Sequence, residues 1–419
     1  MLTRAPKGTK DIVPEESYKW QYIENTIREI CENYGYKEIR TPVFEHTELF
    51  ERGVGDTTDV VQKEMYTFED KGGRSVSLRP EGTASAGRAF LENSLYAAPQ
   101  PTKMYYMISC YRYEKPQAGR LREFHQFGTE VFGSEKPSVD AEVISLAGTL
   151  LSKLGIKGLE LNINSIGCPE CRKEYNAKLR EFFQPQLNEL CETCAGRYDR
   201  NPLRILDCKN SHCKKIGENA PILLDHLCED CRVHFESLKK HLDEMGIQYN
   251  IDPYIVRGLD YYTRTVFEFV SRNIGAQGTV CGGGRYDGLI QELGGQPTPG
   301  IGFGLGLERL LLTLESQGII IPQPEPINLF IANIGEKAEF KAQSLVYDLR
   351  QQNISAEKDH MGRSLKAQMK YADKLGAAYT MVLGEDEINQ GKANLKNMQT
   401  GETVEVSLDD IAEAIKDIQ

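Results

Sequence analysis

No run of this 419-residue chain is apolar for long enough to span a bilayer. Its N-terminal stretch, MLTRAPKGTKDIVPEES, has no apolar core of the signal-peptide kind. These two absences predict a cytoplasmic protein with no membrane partner. No GxxxxGK loop followed by Ser or Thr occurs. If the chain handles a nucleotide, side chains must therefore hold the phosphates, arginines above all. Repeats and low-complexity tracts are also missing. Positive charge is in deficit, with 50 Lys and Arg against 61 Asp and Glu, a net charge of -11. That argues against bulk nucleic-acid coating but leaves room for local basic patches.

What is present is an ordinary globular composition, 40% hydrophobic and 26% charged, in a chain long enough for two or three domains. The eleven cysteines are unevenly spread. Cys31, Cys110 and Cys281 stand alone. The other eight form close pairs between residues 168 and 231: CPEC, CETC, Cys208 with Cys213, and CEDC. In a cytosolic chain, paired cysteines mean metal or redox chemistry more often than disulfides. Four successive pairs could supply one or two tetrahedral zinc sites. The alternative is reduced thiols packed in a small helical insertion, since no zinc-ribbon spacing is repeated. On sequence alone the metal stays unknown.

Residues 17–34 read as an amphipathic helix, because Trp20, Ile23, Ile27, Ile30 and Tyr34 recur at helical spacing and Gly35 follows. YKEIRTPVFEHTELF reads as a strand interrupted at Pro42, and MYTFEDKGGRSVSLRP as two strands around a glycine turn. EGTASAGRAFLEN opens a helix. KMYYMISCYRYE and FHQFGTEVFG are strands flanking the polar loop KPQAGRLRE, and 138–155 is a helix. RTVFEFV, GTVCGGGRYDG and GIGFGLG follow the cysteine-rich segment. PQPEPI at 322–327 is a linker, and a β-α-β alternation lies beyond it. The expected fold is α+β: a domain over 1–325 on a large antiparallel sheet flanked by helices, with a helical, Cys-rich insertion at about 168–245, then a small α/β domain over 326–419.

Candidate chemistry collects on a few strands. Gly300, Gly302, Gly304 and Gly306 alternate with Ile301, Phe303, Leu305 and Leu307, so one face is apolar and the other bare backbone. Glycine weakens a strand, and the bare face needs an occupant, either a ligand or closely packed backbone. Arg112 and Glu114, two apart, face one side of their strand. Gln126, Gly128 and Glu130 share one face of the next, opposite Phe127 and Val131. For that face of Arg, Glu, Gln and Glu, incidental charges on a half-solvated antiparallel strand are the alternative. Arg120 and Arg122, in the loop between, could close over a polyanion. Arg257 and Asp260 precede Tyr261 and Tyr262, which are either sheet surface or the wall of a site for a small polar aromatic. GGGRYDGL gives a backbone room to approach a ligand and puts Tyr286 beside it.

In this order, the pieces resemble the class II aminoacyl-tRNA synthetases, and within them the histidyl-tRNA synthetase family. YRYEKPQAGRLREFHQFGTEVFG is similar to the second class signature, with Arg112 and Glu114 in its Phe/Tyr-Arg-x-Glu position and Tyr111 as the residue often written Phe. GIGFGLGLERLLL is similar to the third, with Arg309 as its arginine, and the segment around Pro42 loosely matches the first. RGLDYYTRTVFE and GGGRYDGL match the two motifs particular to the histidine enzymes. KGTKD and LRPEGT also fit.

The resemblance implies a two-step ligase. Histidine attacks the α-phosphate of ATP, giving histidyl-adenylate and pyrophosphate, and the 3′-terminal ribose of the histidine tRNA then takes the aminoacyl group. It implies ATP with Mg2+, L-histidine, the histidine tRNA and a homodimer as cofactors and partners. The insertion would approach the acceptor arm, and the C-terminal domain would read the anticodon. By position, Arg112 and Arg257 would hold the α-phosphate. Glu114, Arg120, Gly304 and Arg309 would bind ATP, the adenine lying on the glycine face under Arg309. Glu81, with Gly82 and Thr83 beside it and Gln126 helping, would take the α-ammonium. Glu130 and Tyr262 would meet the imidazole nitrogens, with Tyr261 and Tyr286 completing the pocket. Arg112, Arg257, Glu81 and Gln126 are the expected catalytic set. In the C-terminal domain, Arg363, Lys366, Lys370 and Lys374 would form a phosphate-contacting stripe on the second helix, or simply a solvated face. The family does not generally depend on zinc, so the eight cysteines exceed what the resemblance requires. Two rivals compete: a synthetase-like, histidine-sensing regulatory subunit of ATP phosphoribosyltransferase, which lacks the anticodon-binding domain, and a zinc-dependent RNA-binding module.

Overall fold

The computed structural model describes residues 3–55, 58–208, 210–271 and 278–418; Met1 and Leu2 of the N-terminal stretch lie outside them. The chain divides into two compact units, 1–322 and 323–419.

The first unit is built on an eight-stranded sheet in the order Lys37–Glu38, Thr102–Tyr111, Glu123–Phe132, Gly300–Gly306, Thr279–Arg285, Thr263–Ser271, Leu159–Ser165, Asn250–Ile251. The six long strands are antiparallel. The two short edge strands pair in parallel, so the sheet is mixed at its margins. Leu159–Ser165 goes beyond the expected strands; its signal is the alternation of Leu159, Leu161 and Ile163. Pro42 does more than interrupt a strand. Lys37–Glu38 joins the large sheet, whereas Phe44–His46 joins a separate three-stranded sheet with Thr67–Glu69 and Ser75–Leu78. Between them the buried Arg79 donates to the carbonyls of Thr41 (2.7 Å), Pro42 (2.9 Å) and Ser109 (2.7 Å), satisfying backbone that no ladder serves.

Periodicity decides which face is covered. Phe127, Val131, Phe267, Ile301, Phe303 and Leu305 enter one apolar core with Ile23, Ile27 and Ile30 of the helix Pro14–Asn33. Helices Pro137–Lys153, Glu229–Glu244 and Leu307–Ser316 complete that layer. Proline opens two of these helices, where its missing N–H costs nothing. Each fully buried large apolar side chain contributes about 1.5–3 kcal/mol.

One charged cluster is sealed inside. Arg285 and Asp140 are both 0% exposed in their side chains, with Nη2 and Oδ1 2.7 Å apart. Asp140 also meets His234 Nε2 at 2.8 Å, and Arg285 meets Asp287 at 2.9 Å. The remaining guanidinium donors reach the carbonyls of Ser134 and Lys136. Burial opposes charge on Asp140, but Arg285 and His234 together hold its carboxyl below the usual range. The sheet, the helix Pro137–Lys153 and the last insertion helix are thereby tied at one point.

The insertion is helical, with Pro169–Phe183, Glu192–Arg200, Ser211–Gly217 and Glu229–Glu244 as its α-helices. The second unit carries a five-stranded sheet in the order Ala356–Lys358, Leu329–Asn333, Tyr379–Leu383, Lys392–Asn397, Thr403–Ser407, parallel at first and antiparallel at the end. Its helix Leu365–Lys374 begins after Arg363. That arginine therefore lies off the expected stripe, paired with Asp359 at 2.5 Å and stacked on Tyr371. Lys366, Lys370 and Lys374 are exposed. Among the described residues, no helix is long and apolar enough to cross a membrane.

Candidate active site

The uncovered face of the large sheet holds the site. Register aligns Tyr106, Gly128, Gly304, Gly282 and Glu268 in one row across five strands. The adjacent row runs Met104, Glu130, Gly302, Gly284 and Val266. Glycines on three neighbouring strands thus make a trough.

The trough is partly filled by neighbouring side chains. A Cβ on Gly128 would stand 2.4 Å from the Tyr106 ring, and one on Gly82 2.3 Å from it. Added methyls on Gly300 and Gly302 would strike Tyr286, and one on Gly302 would also lie 2.4 Å from Glu130 Oε2. One on Gly304 would lie 2.5 Å from Gln126 Nε2. Of the four alternating glycines, Gly306 alone has room, its nearest neighbour being Arg309 Cβ at 3.9 Å. The expectation of a bare face is corrected: the pocket's own groups occupy most of it.

Those groups form a polar chamber at one end. Glu130 is 1% exposed, and Tyr106 donates to its Oε1 at 2.9 Å while Tyr286 donates to Oε2. Burial pushes its carboxyl up to about 8, despite the two phenols and the Thr83 hydroxyl; the nearby Glu81 charge adds to the rise. Glu81, also 1% exposed, is raised by burial too, although it accepts from the Thr83 and Ala84 amides at 2.7 Å each. It thereby caps the helix Thr83–Glu92, whose positive end favours the charge. Gln126 Oε1 accepts from the Gly82 amide at 3.1 Å. The buried rings of Tyr261, Tyr262 and Tyr286 pack together, with centroids 4.6 Å apart for the first pair and 5.5 Å for Tyr261 and Tyr286. Glu130 is thus held by Tyr106 and Tyr286, and Tyr106 was not among the expected residues.

Cations gather at the other end. The Arg257 guanidinium lies on Gly282 and 5.8 Å from the Tyr262 ring centroid, paired with Glu268. Burial works against its charge, but Glu268 outweighs it and holds the group above its usual value. Glu268 also accepts from Thr279 Oγ1 at 2.9 Å. Arg112 and Glu114 stand past the strand end at Tyr111, not on the strand as expected. There the Glu114 amide donates to the Arg112 carbonyl in a tight turn, and the Glu114 carboxylate stands 4.0 Å from Arg112 and 3.0 Å from Arg120. Arg112 Nε donates to the Pro80 carbonyl at 2.9 Å, next to Glu81. Arg309 donates to the Thr279 carbonyl at 2.8 Å; its pKa is lowered by burial and by the charges of Arg120 and Arg112. Four arginines so placed make a site for a polyanion. Arg122 instead stacks on Tyr113 at 3.8 Å, and its amide donates to the Gly8 carbonyl, bringing the N-terminal KGTKD onto the loop.

A family model described as Histidyl-tRNA synthetase matches residues 8–310, and one described as Anticodon binding domain matches 328–418. The chain belongs to the histidyl-tRNA synthetase family. It is 63% identical to the histidine–tRNA ligase of Acetivibrio thermocellus over 416 residues, 99% of this chain and 100% of that protein. The crystal structure of apo S. aureus histidyl-tRNA synthetase is similar with a TM-score of 0.86 at 44% identity, covering 99% of this chain and 100% of that one. A Bacillus halodurans chain described as an ATP phosphoribosyltransferase regulatory subunit/histidyl-tRNA synthetase shares the fold alone, at 22% identity and a TM-score of 0.65 over 88% of this chain and 96% of that one. This synthetase is therefore a ligase: it activates L-histidine with ATP and transfers it to the 3′ end of the histidine tRNA. A histidine-sensing regulatory subunit would lack the anticodon-binding domain found here.

Proposed function

We propose that the two ends of the glycine trough divide the activation step between them. Glu130 receives one imidazole nitrogen and the tyrosine cluster encloses the ring, with Tyr262 at the second nitrogen. Glu81, Gly82, Thr83 and Gln126 take the α-ammonium. Arg257, over Gly282, faces the α-carboxylate and the α-phosphate it attacks, with Arg112 on the phosphate from the other side. Arg120, Glu114 and Arg309 hold the rest of the ATP, and the adenine finds its open surface at Gly306 and the rim of Gly304. The observation that carries this reading is the buried Glu130 among phenols in the same trough as Arg257.

The attacking carboxylate is ionised at pH 7, so no general base is needed. Catalysis rests on cations already in place where charge develops. A pocket of satisfied polar groups rejects apolar amino acids, which would leave those groups unpaired. Glu114 and Glu268 offer hard carboxylate oxygens near Arg309, a donor set that suits Mg2+. Mg2+ there would neutralise the departing pyrophosphate. Exposed Val43 and Phe44, beside Pro42, support a homodimer contact on that side. The exposed lysines of Leu365–Lys374 support tRNA phosphate contacts, and a role in translation supports a cytoplasmic location.

The test is exchange of labelled pyrophosphate into ATP. Histidine should drive it, and other amino acids should not. Exchange driven equally by another amino acid would sink the reading of the pocket.

A further inference from the structure

The eight paired cysteines are used by none of the chemistry above, yet the fold brings them into two sets of four. Cys168, Cys171, Cys228 and Cys231 form one and Cys191, Cys194, Cys208 and Cys213 the other, each with its Sγ atoms within 4.8 Å of one another. The second set is nested in the chain between the halves of the first. We infer that the insertion carries two structural zinc sites, each held by four thiolates.

Geometry argues for it first. Four sulfurs at about 2.3 Å from a tetrahedral zinc stand about 3.8 Å apart. The Sγ separations are 3.6 Å for Cys168 and Cys171, 3.9 Å for Cys168 and Cys228, and 3.8 Å for Cys191 and Cys208. These are too long for disulfides, and all eight are free thiols. An iron–sulfur cage would need wider spacing than 4.8 Å allows.

Local structure argues for it second. Cys168, Cys191 and Cys228 each stand at the N-cap of an α-helix, and Cys171, Cys194 and Cys231 follow in its first turn. Helix N-termini favour negative sulfur. Backbone amides also point at the sulfurs: Cys228 N to Cys171 Sγ at 3.1 Å, Cys191 N to Cys213 Sγ at 3.2 Å, and Asn210 N to Cys208 Sγ at 3.4 Å. On binding, four thiols release four protons, and zinc with four thiolates leaves each site at a formal charge of -2. In each set two cysteines are buried; Cys168, Cys191 and Cys208 are half-buried and Cys228 is exposed, which leaves the ion a way in.

The sites sit where they would order the catalytic trough. Arg172, next to Cys171, donates to the Tyr262 carbonyl at 3.1 Å. Asn201, at the end of the helix begun by Cys191, donates to Asp260 at 3.1 Å. The insertion core is also continuous with Tyr261, Tyr262 and Tyr286.

The test is elemental analysis of the full-length enzyme purified without chelator, with thiol titration alongside. Two zinc ions per chain are expected, both released by an organomercurial. No more than three of the eleven thiols should react before that release. Cys228→Ser and Cys208→Ser should each remove one equivalent. If either variant fails to fold, the parent's stoichiometry and mercurial release still decide. Less than about half an equivalent of zinc in a folded sample, iron in its place, or disulfides within the pairs overturns the proposal. Metal release should also raise the KM for histidine several-fold more than that for ATP. This last outcome, unlike the metal content, rests on Tyr262 lining the histidine pocket.

Discussion

Replacing Glu130 with Gln changes the shape of a pH profile as well as its height. In the free enzyme burial holds the Glu130 carboxyl protonated up to about 8, whereas free imidazole titrates near 6.5. A bound histidine and Glu130 would share one proton, on whichever partner it sits. Below about pH 6.5 both free partners carry protons, and binding must expel one. Above about 8 neither does, and binding must take one up. The KM for histidine should therefore be lowest between these values and rise roughly tenfold per pH unit on either side. Gln keeps the volume and can still meet a neutral imidazole, but cannot exchange a proton. The acid limb should persist and the alkaline limb vanish. On the plateau, loss of a charge-assisted hydrogen bond worth about 1.5–3 kcal/mol should raise the KM roughly 10- to 150-fold. The assay is pyrophosphate exchange from about pH 5.5 to 9, with the KM for ATP as control. A variant that keeps both limbs, or in which both KM values rise together, refutes the reasoning.

Arg257→Ala should slow exchange by about 100- to 1,000-fold with the circular dichroism unchanged; near-normal exchange would remove Arg257 from the α-phosphate. A Cβ at Gly306 meets no neighbour closer than 3.9 Å, so Gly306→Val should leave folding intact. It should raise the KM for ATP alone, by about 5- to 150-fold if a ring must be displaced; Gly304→Ala, which pushes on Gln126, should raise that for histidine as well. Asp140→Asn removes the fully buried one of Arg285's two anions, leaving the partly exposed Asp287, and should cost up to about 3 kcal/mol in chemical denaturation. In the parent, Asp140 is depressed in the folded state, so its contribution is present above its unfolded value of about 3.9 and is lost as pH falls below it. A parent whose stability does not fall faster than that of the variant below about pH 4 contradicts this assignment. Lys366→Glu with Lys370→Glu should weaken aminoacylation steeply with salt while leaving exchange unchanged; equal loss of both would place the effect in folding.

How far the site was legible follows from what fixes each position. Gln126, Gly128 and Glu130 could be put on one face because strand alternation is set by covalent geometry. Tyr106 carried the same signal, sharing one face of its strand with Met104, Ile108 and Cys110. That it reaches Glu130 depends on its pairing with Gly128 and on the space at Gly82, which are tertiary facts. Arg112 and Glu114 were read as strand residues, but Arg112 N pairs with the Arg122 carbonyl beyond the strand end. The Arg285, Asp140 and His234 cluster joins groups 94 and 145 residues apart, and nothing local marks it. The cysteine pairs were visible by spacing; which pair meets which depends on how four helices fold back. Arg363 was misplaced because Ser364, a helix-capping type of residue, starts the helix one residue later.

The glycine trough explains why these residue types occur together. Each strand glycine costs about 0.5–1 kcal/mol relative to alanine, so a floor of Gly128, Gly282, Gly284, Gly302 and Gly304 is expensive. A Cβ at Gly128, Gly282 or Gly304 would collide with Tyr106, Arg257 or Gln126; at Gly302 and Gly284 it would meet the neighbouring carbonyls of Thr129 (2.1 Å) and Thr265 (2.5 Å) first, with Glu130 and Tyr262 close behind. At Gly128, Gly282 and Gly304 the floor is therefore the space these side chains need in order to lie flat across the sheet, and at Gly302 and Gly284 it also lets the strands approach closely. From the strand of Gly128 to that of Gly282 is two spacings, about 10 Å. In the proposed arrangement that span would take one amino acid, with its ammonium towards Glu81 and Gln126 and its carboxylate towards Arg257. Gly306 lies two residues beyond Gly304, opposite Gln126 in register, and among the described residues the nearest group to its added Cβ would be Arg309 Cβ at 3.9 Å. The same strand thus has a filled floor at Gly302 and Gly304 and an open one at Gly306, as the proposed division between amino acid and flat base requires, and the difference is set by which neighbours reach over each glycine.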